Sequence, residues 1–429
     1  SRRAFRAKCS ALFEQPQQLH HAALLMLDLD NLKSTNDSLG HDWGDRYIQR
    51  AGQCIAQHAP SSALCSRISG DEFNIFLYGY SSRKELLKVI HRLWHALEQT
   101  TIHLPDGREF NISLSGGVAW YPDDTLDLDL LKKYADFAMY EVKRSHKGQL
   151  GEFNIALYNS ALHERQLRSE FHQMLRNEAI SYHFQPIFSA KDGTPLAYEA
   201  LMRLSLPTLK SPLDVLRLAR AENKLHDIER ITLFKASEAY DALQRSGKVP
   251  AGKLLFINTI ASQHLNEAEE NEFVRRFSHL LPQYVSEITE EDELDMEALE
   301  KKRRFPGGSQ VFALDDYGSG FNSEKNLLAL APHYIKVDIC IVSGIDTDEN
   351  KQQIVANIVH YAHQRDMKII AEGLETPAEL KTLLRLGVDM LQGYLLAKPA
   401  QVPPAISPEA LDVIHSFHCS SGINGSDPV

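Results

Sequence analysis

The sequence is poor in cysteine, and the cysteines that it has do not form a recognisable motif. There are five of them, an odd number, and none belongs to a CxxC pair. The spacing excludes zinc-ribbon and thioredoxin-type sites, and it is typical of unpaired thiols in a reducing compartment. We therefore predict neither a zinc site nor a disulfide framework.

Long hydrophobic runs and a secretory leader are also missing. No apolar run approaches the length of a membrane span, and the N-terminus lacks the layout of a signal peptide. The chain opens at SRRAF without an initiator Met, which we interpret as the start of a fragment. We expect a cytoplasmic protein, or the cytoplasmic part of a longer sensor, without membrane contact by this fragment.

Positive charge is in deficit. Forty-six Lys and Arg residues stand against 57 Asp and Glu residues, so the formal net charge is -11 and the pI is about 5.9. This balance argues against nucleic acid or an anionic membrane as a general partner, and it favours a small-molecule partner.

The length of 429 residues exceeds the size at which one core stops growing, so we expect two domains. Strand-like and helix-like segments alternate along most of the chain, which predicts an α/β fold. We predict an N-terminal α/β sandwich over residues 1–152, joined by a linker helix over 153–179 to a (β/α)₈ TIM-like barrel over 180–405. Residues 406–429 are predicted to be the end of a C-terminal helix and a disordered tail. The acidic insert over residues 291–304 is interpreted as a solvated helix without a functional role.

Six apolar runs of the second half each contain or end in polar residues. They are LAYEALMRL with Glu199, LLFINT with Asn258, YVSEITE with Glu287, VFALDDYG with Asp315 and Asp316, YIKVD with Lys336 and Asp338, and MKIIAEGLET with Glu372 and Glu375. Each residue alone is explained as well by a turn, a cap or a salt bridge. As parallel strands of one barrel, however, the runs would bring these side chains to one mouth. Because a cluster of acids repels itself, the pattern predicts hard divalent cations such as Mg²⁺ or Mn²⁺.

The same residues carry a family resemblance. The run YEALMRL, together with QPIF, EITE, LDDYGSG, IKVD, AEGLET and LQGYLLAKP in that order, resembles the EAL-domain cyclic di-GMP phosphodiesterases over about residues 180–400. The resemblance implies hydrolysis of cyclic di-GMP to linear pGpG with two Mg²⁺ or Mn²⁺ ions, which would activate water for attack on phosphorus.

The resemblance also assigns roles position by position. It implies metal ligation by Glu199, Asn258, Glu287, Asp315, Asp316 and Glu372, with Asp315 bridging the two ions. It implies catalytic roles for Glu372, Lys336 and Glu199, substrate contacts by Gln185, Arg203, Gln392 and Glu375, and ordering of the loop after Asp316 by Glu290. One departure is Ile260, where the family commonly has Ser.

The first half resembles a GGDEF diguanylate cyclase domain. The resemblance rests on MLDLDNLKSTNDSLGHDWGD, SGDEF and ADFAMYEVKRSHKG. It implies a GTP site, with bound Mg²⁺, formed by Asp28, Asn36, Asp45, Asp71, Glu72, Lys143 and Lys147. The first Gly of the signature is replaced by Ser69, whose Cβ is expected to crowd the nucleotide or to forbid the backbone angles of the turn.

The main hypothesis is a tandem protein that hydrolyses cyclic di-GMP, with a GGDEF-like domain that binds GTP and regulates. Two alternatives remain. One is a non-catalytic cyclic di-GMP receptor, and the other is a bifunctional enzyme with residual cyclase activity. The resemblance further implies a homodimer.

Overall fold

The computed structural model describes residues 2–104, 106–289, 296–303, 311–319 and 323–422. The chain divides into two compact units, Ser1–Arg165 and Gln166–Val429, which are described separately. None of the described helices combines the length and the apolar character that crossing a membrane requires.

The first unit is a five-stranded sheet with helices on both faces. Its strands are β1 His21–Leu29, β2 Leu64–Ser69, β3 Glu72–Tyr80, β6 Leu114–Tyr121 and β7 Leu150–Glu152, in the order β2-β3-β1-β6-β7, and β4 Thr101–His103 pairs with β5 Glu109–Asn111. The helices are α1 Arg2–Phe13, α2 Leu32–Leu39, α3 His41–His58, α4 Arg83–Glu98 and α5 Leu128–Ser145. This arrangement matches the predicted α/β sandwich.

The central strand β1 explains why both faces are covered. Leu25 and Leu27 belong to one apolar cluster, whereas Leu24 belongs to a second cluster that includes Phe76. Successive side chains of a strand point to opposite faces, so a strand that is apolar at consecutive positions needs a helical layer on each side.

Helix α6 Ile155–Asn177 matches the predicted linker helix, and it crosses the boundary between the two units.

The second unit contains an eight-stranded closed barrel in the order β10-β11-β12-β13-β14-β15-β8-β9. The strands are β8 Ile180–Ser189, β9 Pro195–Leu204, β10 Leu254–Asn258, β11 Tyr284–Thr289, β12 Val311–Tyr317, β13 Tyr334–Val337, β14 Lys368–Ala371 and β15 Met390–Leu391. The helices are α7 Pro212–Ala221, α8 Leu225–Arg245, α9 Glu267–Phe277, α10 Met296–Arg303, α11 Ser323–Leu330, α12 Ile339–Val342, α13 Glu349–His363, α14 Pro377–Leu386 and α15 Pro408–Gly422.

The barrel is not fully parallel. Strand β8 runs antiparallel to both of its neighbours, β9 and β15, while the other pairs are parallel. The six apolar runs that were expected to form parallel strands are β9 to β14, and these are parallel to one another, so β8 is the exception in the barrel. The reason is local, since β8 and β9 are joined by a short turn at Gly193, and a short turn can only reverse the chain.

The interior of the barrel is packed. Seven of its strands contribute one apolar side chain each to a common cluster, and they are Ile187, Ala197, Phe256, Val285, Ala313, Ile370 and Met390. This layer makes the interior a core rather than a pore, so chemistry is restricted to the ends of the strands.

Two sequence-based interpretations need correction. The described part of the acidic insert is helix α10, and its Lys302 is only 8% exposed, so the helix packs on the barrel and is not simply solvated. Helix α15 continues through Gly422, and the first residues of the predicted disordered tail are therefore helical. Residues 423–429 lie outside the described residues.

Candidate active site at the barrel mouth

Strand register brings the predicted acids of the second unit together. Asn258, the last residue of β10, is the register partner of Glu287 on β11, and Glu372 directly follows β14. Glu199 lies in the middle of β9, so it does not leave its strand at the carboxyl end as predicted. Its side chain nevertheless reaches the cluster, with Oε1 at 3.3 Å from Asn258 Nδ2 and Oε2 at 3.5 Å from Lys336 Nζ.

Lys336 lies at the centre of the cluster. Its side chain is 1% exposed, and its Nζ lies within ion-pair distance of four carboxylates. The distances are 2.6 Å to Glu287 Oε1, 2.8 Å to Glu372 Oε1, 2.9 Å to Asp315 Oδ1 and 3.5 Å to Glu199 Oε2. One ammonium cannot neutralise four carboxylates, and the fully ionised cluster would keep three excess negative charges.

The excess charge changes the acidity of the cluster. Burial, together with the neighbouring Glu199, raises the pKa of Glu287 well above its usual value, although Lys336 opposes this. Burial also raises the pKa of Glu372. Burial by itself disfavours the charged form of Lys336, but the carboxylates, led by Asp315, outweigh it and hold the Lys336 pKa well above its usual value. Lys336 therefore stays charged, and the acids need protons or further cations.

Asp315 and Asp316 are held side by side by an unusual backbone. Asp316 has a φ of 57°, and its N–H donates to Asp315 Oδ1 at 3.0 Å. Burial, followed by repulsion from Asp315, raises the pKa of Asp316 to about 6. Gly318 follows with a φ of 99°, where a Cβ would lie 2.1 Å from the Cδ1 atom of Ile341. The signature Gly at this position is thus required by space as well as by conformation.

The residues present fit divalent cations. Carboxylate oxygens of Glu199, Glu287 and Asp315 lie within 4.8 Å of one another, and so do those of Asp315, Asp316 and Glu372. Asp315 belongs to both groups, so its carboxylate would be available to a cation held by either one. The buried Glu287 Oε2 atom has no hydrogen-bond partner among the described residues, as expected for an oxygen reserved for a cation. The donors are carboxylates, with the Asn258 amide beside them, and Mg²⁺ and Mn²⁺ prefer such oxygen ligands.

A cleft of about 360 Å³ opens above the acids. Three of the predicted substrate residues line it, namely Gln185, Gln392 and Glu375. Gln392 Nε2 donates to Glu199 Oε2 at 2.6 Å, and Gln185 Nε2 donates to the Ala397 carbonyl at 3.1 Å.

The remaining predicted residues are placed differently. Arg203 is not among the described residues that line the cleft, and its guanidinium donates to the Met202 carbonyl at 2.9 Å. Glu290 lies outside the described residues. Sequence reasoning missed Tyr394, which lines the cleft and is 57% exposed. Its position two residues after Gln392, in the same motif, was an available signal.

In the first unit, β1 and β3 bring the predicted GTP-site acids together. Asp28 is the register partner of Glu72, and the N–H of Leu29 donates to the Asp71 carbonyl at 3.1 Å. Lys143 Nζ lies 2.5 Å from Asp28 Oδ2. Burial nevertheless raises the pKa of Asp28, since it outweighs Lys143.

The remaining predicted GTP-site residues lie on the helices and beyond α5. Asn36 lies on α2 and Asp45 on α3, and Asn36 is packed against Gly44, where an added Cβ would lie 1.8 Å from its Oδ1 atom. Lys147 is exposed beyond the end of α5.

Ser69 affects the turn in an unexpected way. The turn has its positive φ at Gly70, and Ser69 is not among the residues with positive φ, so the expected conflict with backbone angles is wrong. Instead, Ser69 Oγ donates to Glu72 Oε2 at 2.6 Å. The substitution therefore engages an acid of the predicted GTP site directly.

Comparison with known proteins agrees with this architecture. The EAL domain profile matches residues 168–399, and the profile described as diguanylate cyclase, GGDEF domain, matches residues 1–149. The cyclic di-GMP phosphodiesterase NbdA of Pseudomonas aeruginosa is 30% identical over 391 residues, 88% of this chain and 48% of that protein. The bifunctional diguanylate cyclase/cyclic di-GMP phosphodiesterase MucR of the same organism is 28% identical over 384 residues, 88% of this chain and 55% of that protein.

The chain thus spans about half the length of these relatives. Among solved structures, the MucR phosphodiesterase in complex with c-di-GMP is similar, with 26% identity and a TM-score of 0.49, covering 55% of this chain and 97% of that chain. The EAL profile covers more than half of the sequence. The chain belongs to the EAL domain family, and it carries a GGDEF domain in tandem before the EAL domain.

Proposed function

We propose that the EAL domain hydrolyses cyclic di-GMP to linear pGpG. The observation that carries the proposal is the cluster of four carboxylates around Lys336 at the floor of an open cleft. The relative NbdA is named as a cyclic di-GMP phosphodiesterase and MucR as a bifunctional diguanylate cyclase/cyclic di-GMP phosphodiesterase, which supports the same activity.

The cations of this proposal are two Mg²⁺ or Mn²⁺ ions held by Glu199, Asn258, Glu287, Asp315, Asp316 and Glu372. When bound, they supply the positive charge that lowers the pKa of water and neutralises phosphate. No other part of the cleft offers a comparable set of oxygen ligands among the described residues.

The side chains of the site then have separate tasks. Lys336 keeps its proton and lines the cleft, where its charge would stabilise the negative charge that develops on a bound phosphate during attack. Glu372, whose pKa is raised, accepts a proton from the attacking water. Gln392 holds Glu199 in place through the contact at 2.6 Å. Tyr394 offers an exposed ring on which a guanine base can stack.

The test is product analysis with the full chain. The parent protein, given cyclic di-GMP with Mg²⁺ or Mn²⁺, should form pGpG, and Glu199→Gln should abolish this while keeping the shape of the side chain. Glu349→Gln, at an exposed acid in the first turn of α13, is the matched control and should retain activity. Binding of cyclic di-GMP without turnover by the parent would contradict hydrolysis and favour a receptor.

For the first domain we propose GTP binding with a regulatory effect on hydrolysis. Asp28, Asp71 and Glu72 lie at adjoining strand ends, which supports a nucleotide-bound Mg²⁺ at that edge. The contact between Ser69 and Glu72 disfavours cyclase chemistry because it engages one carboxylate oxygen. GTP should change the rate of pGpG formation, and Asp71→Asn should remove the effect. Formation of cyclic di-GMP from GTP by the parent would instead support the bifunctional alternative, in which two chains pair as a homodimer.

A further inference from the structure

A buried acid outside the carboxylate cluster contacts the chain next to a predicted metal ligand. Glu229 on α8 is 2% exposed, and its Oε2 accepts a hydrogen bond from the Ile260 N–H at 2.8 Å. Thr259, one residue earlier, donates both its N–H and its Oγ1 hydroxyl to the Glu287 carbonyl, each at 3.0 Å. The two residues after Asn258 are therefore anchored on one side to Glu287 and on the other to Glu229.

The charge of Glu229 is balanced by α10. Lys302 is 8% exposed, and its Nζ donates to Glu229 Oε1. The pair lies beside a cavity of about 70 Å³ that is lined mainly by apolar side chains, among them Leu233 and Ile257. In such surroundings a buried carboxylate needs a partner, so the contact with Lys302 holds Glu229 in its buried position beside Ile260.

In the described part of the chain the Asn258 side chain is weakly held. It is exposed, and its Nδ2 donates a long hydrogen bond of 3.3 Å to Glu199 Oε1. The orientation of the amide therefore depends on the backbone around it, which is held by β10 on one side and by the contacts of Thr259 and Ile260 on the other.

We propose that Glu229, held in its buried position by Lys302, is a positioning residue that orients Asn258 for metal binding through the Ile260 N–H. The proposal rests on the metal site of the proposed function. It assigns the described part of the acidic insert a role, since α10 supplies the cation of the pair.

The test separates positioning from stability with two double variants of the full chain. Glu229→Leu/Lys302→Met removes both charges and the acceptor, and apolar replacement of a buried ion pair commonly leaves stability intact. Glu229→Gln/Lys302→Met removes both charges but keeps an acceptor for Ile260. Free Mn²⁺ is measured by electron paramagnetic resonance during titration, and melting temperature is measured in EDTA.

We expect Mn²⁺ affinity to fall about ten- to a hundredfold in the leucine variant, the usual effect of losing a partner that orients a ligand. The glutamine variant should bind Mn²⁺ nearly as tightly as the parent, and both should melt near the parent temperature. Parental affinity in the leucine variant, or equal losses in both variants, would overturn the proposal.

A single substitution covers the case in which the leucine variant does not fold. Lys302→Met should weaken Mn²⁺ binding, whereas Lys301→Met should not, because Lys301 is exposed and pairs with Glu297 at 3.0 Å on the surface. Equal Mn²⁺ affinities in Lys302→Met and Lys301→Met would overturn the proposal. Mn²⁺ binding is read without substrate, so a parent that binds Mn²⁺ in this pattern but leaves cyclic di-GMP intact would refute the hydrolase and not the positioning role.

Discussion

Replacing Lys336 by Met removes the ammonium while keeping the length of the side chain. In the metal-free protein the four carboxylates would then face one another without a counterion. Breaking a buried ion pair by removing one partner costs about 3–5 kcal/mol. Lys336 belongs to a buried ion pair of this kind, because it is 1% exposed and makes three carboxylate contacts between 2.6 and 2.9 Å.

The expected change in melting temperature follows from that range. In a domain of this size about 1 kcal/mol corresponds to about 2–4 °C, so Lys336→Met should melt about 6–20 °C lower in EDTA at pH 8. The difference should shrink at pH 5. Carboxylates whose folded-state pKa is raised destabilise the fold when ionised, and this penalty is lost as pH falls and they take up protons.

Saturating Mn²⁺ should also narrow the difference in melting temperature between the parent and Lys336→Met, because bound cations replace the missing positive charge. The assay is a thermal melt of parent and variant at both pH values, with EDTA and with Mn²⁺. The control is Lys368→Met on neighbouring strand β14, where Lys368 is 55% exposed and pairs with Asp389 at 2.9 Å. A difference that is the same at both pH values and with or without Mn²⁺ would show that Lys336 acts through packing alone, and the electrostatic reasoning would be refuted. With substrate, kcat should fall about 10²- to 10³-fold in Lys336→Met only.

Three further outcomes test other parts of the structure. Asp316→Asn should raise the melting temperature in EDTA more at pH 8 than at pH 5, because the raised Asp316 pKa of about 6 lowers stability progressively as pH rises from the ordinary Asp pKa to that value; a shift of equal size at both pH values would contradict this. Ser69→Gly should strengthen Mg²⁺-dependent binding of a non-hydrolysable GTP analogue about two- to tenfold in calorimetry, because Glu72 loses a competing hydrogen bond, and unchanged affinity would count against the contact. Gly393→Ala should lower the free energy of unfolding by about 1–3 kcal/mol in denaturant and reduce pGpG formation, because its Cβ would lie 2.2 Å from the Leu374 N atom and Gly393 directly follows Gln392. The control Gly52→Ala should be tolerated, because the nearest atom to its Cβ would be 3.6 Å away.

Much of the site could be predicted because its residues sit in short motifs on apolar strands. The alternation of strands and helices indicates the barrel, and the acids of β9 to β14 then converge by register. Asp315 is such a case, since a strand motif defines both the residue and the end of the barrel that it faces. Glu199 was predicted as a member of the cluster, but its position within β9 was not. Glu372 was predictable for the same reason, because it directly follows strand β14.

Other features have no local signal. Glu229 and Lys302 are separated by 73 positions, and each looks like a surface charge within its own helix. The direction of β8 depends on the turn at Gly193 and on closure of the barrel, which no periodicity of a single strand reveals. The hydrogen bond from Ser69 to Glu72 likewise depends on the conformation of the turn, whereas the sequence suggested only a steric conflict.

The sequence by itself determined the chemical identity of the site: oxygen-rich side chains at strand positions, a single lysine among them, and a second domain with its own acids. Only the tertiary structure decided how these charges are balanced, because electrostatic energy depends on distance and burial rather than on order along the chain. It placed one ammonium among four carboxylates, left one Glu287 oxygen without a hydrogen-bond partner among the described residues, and paired Glu229 with Lys302 beside Ile260.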